Sequence, residues 1–172
     1  MPDPITATLK NYRALPKVEL HRHLEGTLRL DTMLDIAGQH GITIPADILR
    51  LSTLVQMQEE ENFSFQTFLS KFNTLRLFYR SPEVIHRITR EAIEDAAKDN
   101  VKYMELRFTP VALSRAERFP LHDVMDWVIT SAGAQRSRVQ VRAVLRRLQG
   151  SQAGRSACDH PRRGMGTRRE CS

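Results

Sequence analysis

Pro16-Lys17-Val18-Glu19-Leu20-His21-Arg22-His23-Leu24-Glu25-Gly26 joins a short apolar run to two closely spaced histidines. Val18 to Leu20 reads as a brief, mostly apolar strand, and His21 and His23 follow at i, i+2. Alternate side chains of an extended chain leave the same face, so both imidazoles are predicted to point at one spot just past the strand end. Imidazole is the commonest protein ligand for a metal such as zinc. Glu25 repeats the same parity and falls on the histidine side if the extension continues. Gly26 lets the backbone turn sharply or approach a ligand closely. Taken alone, the His-x-His spacing is weak, because ordinary surface or core histidines also occur at this spacing.

The residues on either side supply the rest of a pattern. Leu30, Met33, Leu34 and Ala37 have helical spacing, and Gly38, Gly41 and Pro45 end that run. Residues 46–62 fit no single period, and Glu59-Glu60-Glu61-Asn62 is a polar break. Ser64 caps a predicted helix whose apolar stripe runs through Phe65, Phe68, Leu69, Phe72, Leu75 and Tyr79. Ser81-Pro82 starts another, with Val84, Ile85, Ile88, Ala92, Ile93, Ala96 and Ala97 as its buried face and Asp99-Asn100 as its stop. Tyr103 to Phe108 alternates as a second strand, closed by Thr109-Pro110. Leu121, Val124, Met125, Val128 and Ile129 form one further helix face, and Val139 to Leu145 alternates as a third strand. Strands separated by helices predict a parallel sheet with crossover helices.

PKVELHRHLEGTL (16–28), FSFQTFLSKF (63–72) and KYMELRFTP (102–110) together resemble the adenosine/adenine deaminase family of the metal-dependent amidohydrolases. The resemblance covers about residues 15–135 and extends toward Leu145; members of that family are much longer than this chain. It implies an α/β chain forming the N-terminal part of a (β/α)8 TIM barrel, left incomplete. Chemistry in such barrels sits at the C-terminal ends of the strands, where His21 and His23 fall. It further implies hydrolytic deamination of a 6-aminopurine with Zn2+ as cofactor. Zinc-activated water attacks ring carbon 6, a glutamate protonates the ring nitrogen, and ammonia leaves. His21 and His23 match the first two zinc ligands, and His23 also lies beside the substrate. Glu25 stands where adenosine-specific members commonly carry an aspartate that contacts the ribose; a plain solvent-facing carboxylate is the other reading. Phe65, Phe68 and Phe72 resemble the helix that covers the purine pocket, though the same stripe serves ordinary helix packing.

The family pattern also asks for a third histidine ligand, a His-x-Gly-Glu run, a further histidine and a Ser-Leu-Asn-Thr-Asp-Asp-like run, and none occurs in this sequence. The catalytic set is therefore incomplete within this chain. His40, His86, His122 and His160 read as ordinary histidines, and Arg107, at the end of the second strand, carries no assigned role.

Composition bounds the alternatives. The net charge of +6 is concentrated: ten Arg, no Lys, one Asp and one Glu from Arg136 to Ser172 give +8, which leaves −2 for the rest. Residues 1–145 are read as the partial barrel, and 146–172 as an Arg-rich tail, disordered or the product of a shifted reading frame. The tail opens a non-enzymatic reading, a basic nucleic-acid-binding fragment. No aromatic residue interleaves with its arginines, so a nucleic-acid partner is not the expectation. A small purine nucleoside or base is the expected partner. Adenosine is the first substrate expected; adenine, a modified adenosine, or the substrate of another His-x-His amidohydrolase are the alternatives. There is no run of about 18 apolar residues and no apolar leader near the N-terminus, so no membrane contact and a cytoplasmic location are expected. Cys158 and Cys171 suggest neither a Cys-x-x-Cys metal pair nor a disulfide framework.

Overall fold

Three parallel strands form one sheet in the order β1-β2-β3, with the helices as crossovers. The structure is a computed structural model, and it describes residues 11–145. The reading of 146–172 as a disordered or frame-shifted tail lies outside the described residues. In chain order, β1 (Lys17–His23) leads into a 3₁₀ turn (Leu24–Gly26). Next come α1 (Leu30–His40), α2 (Ile48–Val55), α3 (Phe65–Leu75) and a second 3₁₀ turn (Arg76–Phe78). Then follow α4 (Pro82–Lys98), β2 (Val101–Phe108), α5 (Pro110–Ser114), α6 (Leu121–Ala134) and β3 (Gln140–Leu145). The architecture is α/β, a partial (β/α)8 barrel: β1 and β3 are the edges of an open sheet among the described residues.

Capping explains several boundaries. The Ser64 hydroxyl accepts from Thr67 N at 3.0 Å, and Ser81 Oγ accepts from Val84 N at 3.2 Å. Pro82 occupies the first turn of α4, where a missing N–H costs nothing. Asp47 accepts from Arg50 N at 2.9 Å and starts α2, so part of the ambiguous 46–62 region is helical. Gly41 ends α1 in the left-handed region at φ 63°. Gly26 needs no such freedom: a Cβ there would meet Phe72 at 4.0 Å, an ordinary contact.

The structure departs from the periodic reading in two places near the site. The α3 stripe does not run helically to Tyr79; the helix ends at Leu75 and tightens into the 3₁₀ turn. Tyr79 is nonetheless fully buried and donates to the Leu24 carbonyl at 3.3 Å. Within β1 the register with β2 slips between Glu19 and Arg22, so the strand is bulged rather than strictly alternating. Beyond the slip, His23 pairs with Arg107.

The core lies between the sheet and the helices. Met104, Leu106 and Phe108 of β2 are buried, as are Ile85, Ile88 and Ile93 of α4 and Val124 and Val128 of α6. Tyr103, Glu105 and Arg107 alternate with them and are only half-buried, which marks the opposite face. Leu121 and Ile129 of α6, predicted as part of its packed face, are 45% and 44% exposed.

A charged clamp fastens α1 to α4. Arg29 donates to both oxygens of Asp95 at 2.8 and 2.7 Å, and Thr32 Oγ1 donates to Glu91 Oε2 at 2.7 Å. The guanidinium hydrogen bond holds the Asp95 carboxyl below its usual range. A folded-state pKa below the unfolded one gives stability that is present above the unfolded value and lost as pH falls through the folded one. The Asp95 side chain is 44% exposed, so the contribution is about 1 kcal/mol after solvent screening. Asp95→Asn is thus expected to cost about 1 kcal/mol at pH 7, the difference from wild type shrinking below about pH 4. Urea titrations at pH 7 and pH 3 check this, and a pH-independent difference would contradict it.

Candidate active site

The C-terminal end of β1 delivers His21 and His23 to one point. Their Nε2 atoms lie 3.2 Å apart, and the ring centroids are 5.1 Å apart at 34°. The register slip between Glu19 and Arg22 spans Leu20 and His21, so the first histidine sits within the bulge and the second just beyond it.

Below the histidines the chain stops being extended. The 3₁₀ turn at Leu24–Gly26 buries Glu25, which is 1% exposed. Its Oε1 accepts from Thr109 N at 3.1 Å, where β2 ends. Its Oε2 is buried, makes no hydrogen bond and lies 4.0 Å from His23 Nδ1. Glu25 is therefore not a solvent-facing carboxylate. It approaches His23 from beneath, on the side away from the converging Nε2 atoms. Beside it, burial and the Glu25 charge push the Tyr79 phenol well above its usual value, so Tyr79 remains a donor to Leu24 O.

A cavity of about 400 Å³ opens above the histidines, a size suited to a small organic ligand. His21, His23 and Thr109 form its floor, and Phe65, Phe68, Leu69 and Phe72 of α3 form its wall. Phe72 meets His23 edge-on at 6.2 Å and Phe68 edge-on at 5.4 Å. Phe65 is 73% exposed and Phe68 39% exposed, so this stripe is not simply sealed into a helix interface. Among the expected site residues, the structure brings His21, His23, Phe65, Phe68 and Phe72 to one cavity, while Glu25 sits behind it.

Three lining residues, Leu69, Arg76 and Thr109, were not among the expected site residues. Arg76 follows Phe72 by four residues, places its guanidinium 5.7 Å from the Phe72 ring, and lines the same cavity. The i, i+4 spacing carried that signal. Thr109 closes β2, the place where barrel strands present functional groups. His86, expected to be ordinary, hydrogen-bonds Ser131 and ties α4 to α6 away from this cavity.

The donor set fits zinc in type and in spacing. At Zn–N distances of about 2.0–2.1 Å, two nitrogens of a tetrahedral ion lie about 3.3–3.4 Å apart, close to the separation of the two Nε2 atoms. Among the described residues, no group of three or more His, Cys, Asp or Glu could hold a metal. The site offers two ligands where a catalytic zinc usually takes three from protein.

The sequence model of the family described as adenosine deaminase matches residues 16–157. An adenosine deaminase of Shewanella loihica is 33% identical over 146 residues, 84% of this chain and 44% of that protein. A solved amidohydrolase of Burkholderia ambifaria with bound zinc superposes with a TM-score of 0.68 at 28% identity, covering 84% of this chain and 39% of that one. The adenine deaminase of Arthrobacter aurescens gives 0.64 at 25% identity, covering 77% and 39%. The chain thus spans less than half the length of the relatives it matches.

Proposed function

Because this chain belongs to the adenosine deaminase family, we propose that residues 1–172 carry the first two metal ligands and the purine-covering wall of a zinc-dependent purine deaminase. The carrying observation is the pair of Nε2 atoms converging at 3.2 Å on the floor of an aromatic-walled cavity. His21 and His23 would hold the zinc. When bound, the ion supplies Lewis acidity that makes hydrolytic attack feasible near neutral pH. The chain's own residues bind and orient. Phe65, Phe68 and Phe72 offer apolar faces to a planar ring and exclude water. Glu25 belongs to the ligand-binding set through His23: anchored by Thr109 N–H, it holds a carboxylate oxygen 4.0 Å from Nδ1, a charge placed to favour the imidazole as a ligand. Adenosine is the first substrate proposed, and adenine the second.

The third histidine and the proton-donating glutamate of the family pattern are absent from this sequence. No turnover by these residues alone is expected. Zinc-supplemented chain should release ammonia from adenosine no faster than His23→Ala. It should still bind purine riboside, which lacks the amino group, and Phe72→Ala should weaken that binding about 10-fold, as loss of a base-stacking ring does. Ammonia release above the control, or no purine riboside binding at millimolar ligand, would overturn the proposal.

A further inference from the structure

The two imidazoles at the end of β1 can fill half of a tetrahedral ion, and among the described residues no third His, Cys, Asp or Glu joins them. A closed zinc site takes four ligands from protein. A second copy of this chain offers two more of the same kind, at the same 3.2 Å spacing. A tetrahedron has two-fold axes that exchange its four corners in two pairs. One ion on such an axis therefore accepts two nitrogens from each copy of a two-fold dimer.

The pair is placed where another copy can reach it. Among the described residues β1 is paired on one side only, and His21 is exposed. Phe65, Phe68 and Leu69, around the same cavity, are 73%, 39% and 45% exposed and form an apolar rim. In a two-fold dimer a patch faces its own copy, so apolar rim meets apolar rim. Charge balance points the same way. The Glu25 carboxylate is buried, and its Oε2 makes no hydrogen bond and lies 4.0 Å from His23 Nδ1. Buried carboxylates are seldom left without a compensating charge. Neutral imidazoles bring no charge to a divalent cation. One copy, with one Glu25, leaves one positive charge over, whereas two copies leave none.

We propose that one zinc ion bridges two copies of this chain, held by His21 and His23 of each, when zinc is scarcer than chain. The proposal rests on the zinc part of the reading above and is independent of the purine part. A bridged ion has all four positions filled by imidazole and keeps none for water, so it is a structural joint rather than a reacting centre. With zinc in excess, each copy takes its own ion and the joint opens by mass action.

Sedimentation velocity of the full chain, first stripped with a chelator and then titrated with Zn2+, tests this. The metal-free chain is expected to sediment as the 19.8 kDa monomer. Half an equivalent of zinc should double that mass, and a large excess should restore the monomer. Equilibrium dialysis should find one ion per two chains in the dimer. His21→Ala or His23→Ala should abolish the doubling, and His122→Ala should keep it. Glu25→Gln should weaken the dimer about 10-fold, the usual cost of altering the partner of a metal ligand. A dimer that forms with the chelator present, survives His23→Ala, is lost in His122→Ala or carries one ion per chain overturns the proposal. A chain that takes up zinc one to one and stays monomeric throughout overturns it too, and leaves the zinc reading standing. A chain that takes up no zinc overturns both.

Discussion

His21→Ala and His23→Ala should each weaken zinc binding to this chain by at least about 10-fold. The wild-type site is expected to be weak, because two imidazoles on an edge strand leave half of a tetrahedral ion to water. Each still supplies half of the protein donors, and altering a mere hydrogen-bond partner of a ligand typically costs about 10- to 100-fold in affinity. At 3.2 Å the two Nε2 atoms are near the spacing one tetrahedral ion would need, so on the proposed reading neither histidine should bind as well alone. Glu25→Gln should act in the same direction but less strongly, since it keeps the side-chain length and the Thr109 contact while losing the charge beside Nδ1. Calorimetric titration with Zn2+ reads all three variants. His122→Ala is the control, because His122 is 80% exposed and pairs with Asp126 on α6. A loss for His122→Ala equal to that for His23→Ala would mean that zinc binds nonspecifically.

Phe108→Ala should cost about 3–5 kcal/mol of folding stability. Phe108 is fully buried at the end of β2, the central strand, which alone among the three is paired on both sides. Truncation there removes apolar area and leaves a void that the flanking strands cannot close without shifting register. Whole domains are commonly stable by only about 5–15 kcal/mol. A sheet with two unpaired edges among its described residues should stand at the low end of that range, so the variant is expected to lose cooperative unfolding near 37 °C. Phe108→Leu should cost less than about 1.5 kcal/mol by keeping most of the volume. Leu20→Ala, at a position 59% exposed, should change stability by less than about 0.5 kcal/mol. Urea midpoints for the three variants provide the measurement. Equal midpoints for Phe108→Ala and Leu20→Ala would show that the face of β2 turned to the helices is not the folded core.

What depends on near neighbours along the chain was legible before any packing was known. Ser64 and Ser81 cap helices because the N–H groups they satisfy lie three residues ahead. The buried face of α4 followed from helical spacing alone, and His21 and His23 were visible as a pair because they are two residues apart on a strand. The order of strands and helices was enough to require a parallel sheet. Features that depend on surfaces distant in sequence emerged only once the chain was packed. Glu25 is buried because the end of β2 arrives alongside and Thr109, 84 residues away, donates its N–H. The bulge in β1 exists only relative to a partner strand. The end of α3 at Leu75 frees Tyr79 to reach the Leu24 carbonyl, a contact across 55 residues that overrides a continuous apolar stripe. Arg76 joins the cavity where α3 gives way to the 3₁₀ turn that begins with it. Periodicity fixes which side chains share a face, but burial and charge pairing depend on which other face is brought against it, and only the packed chain supplies that.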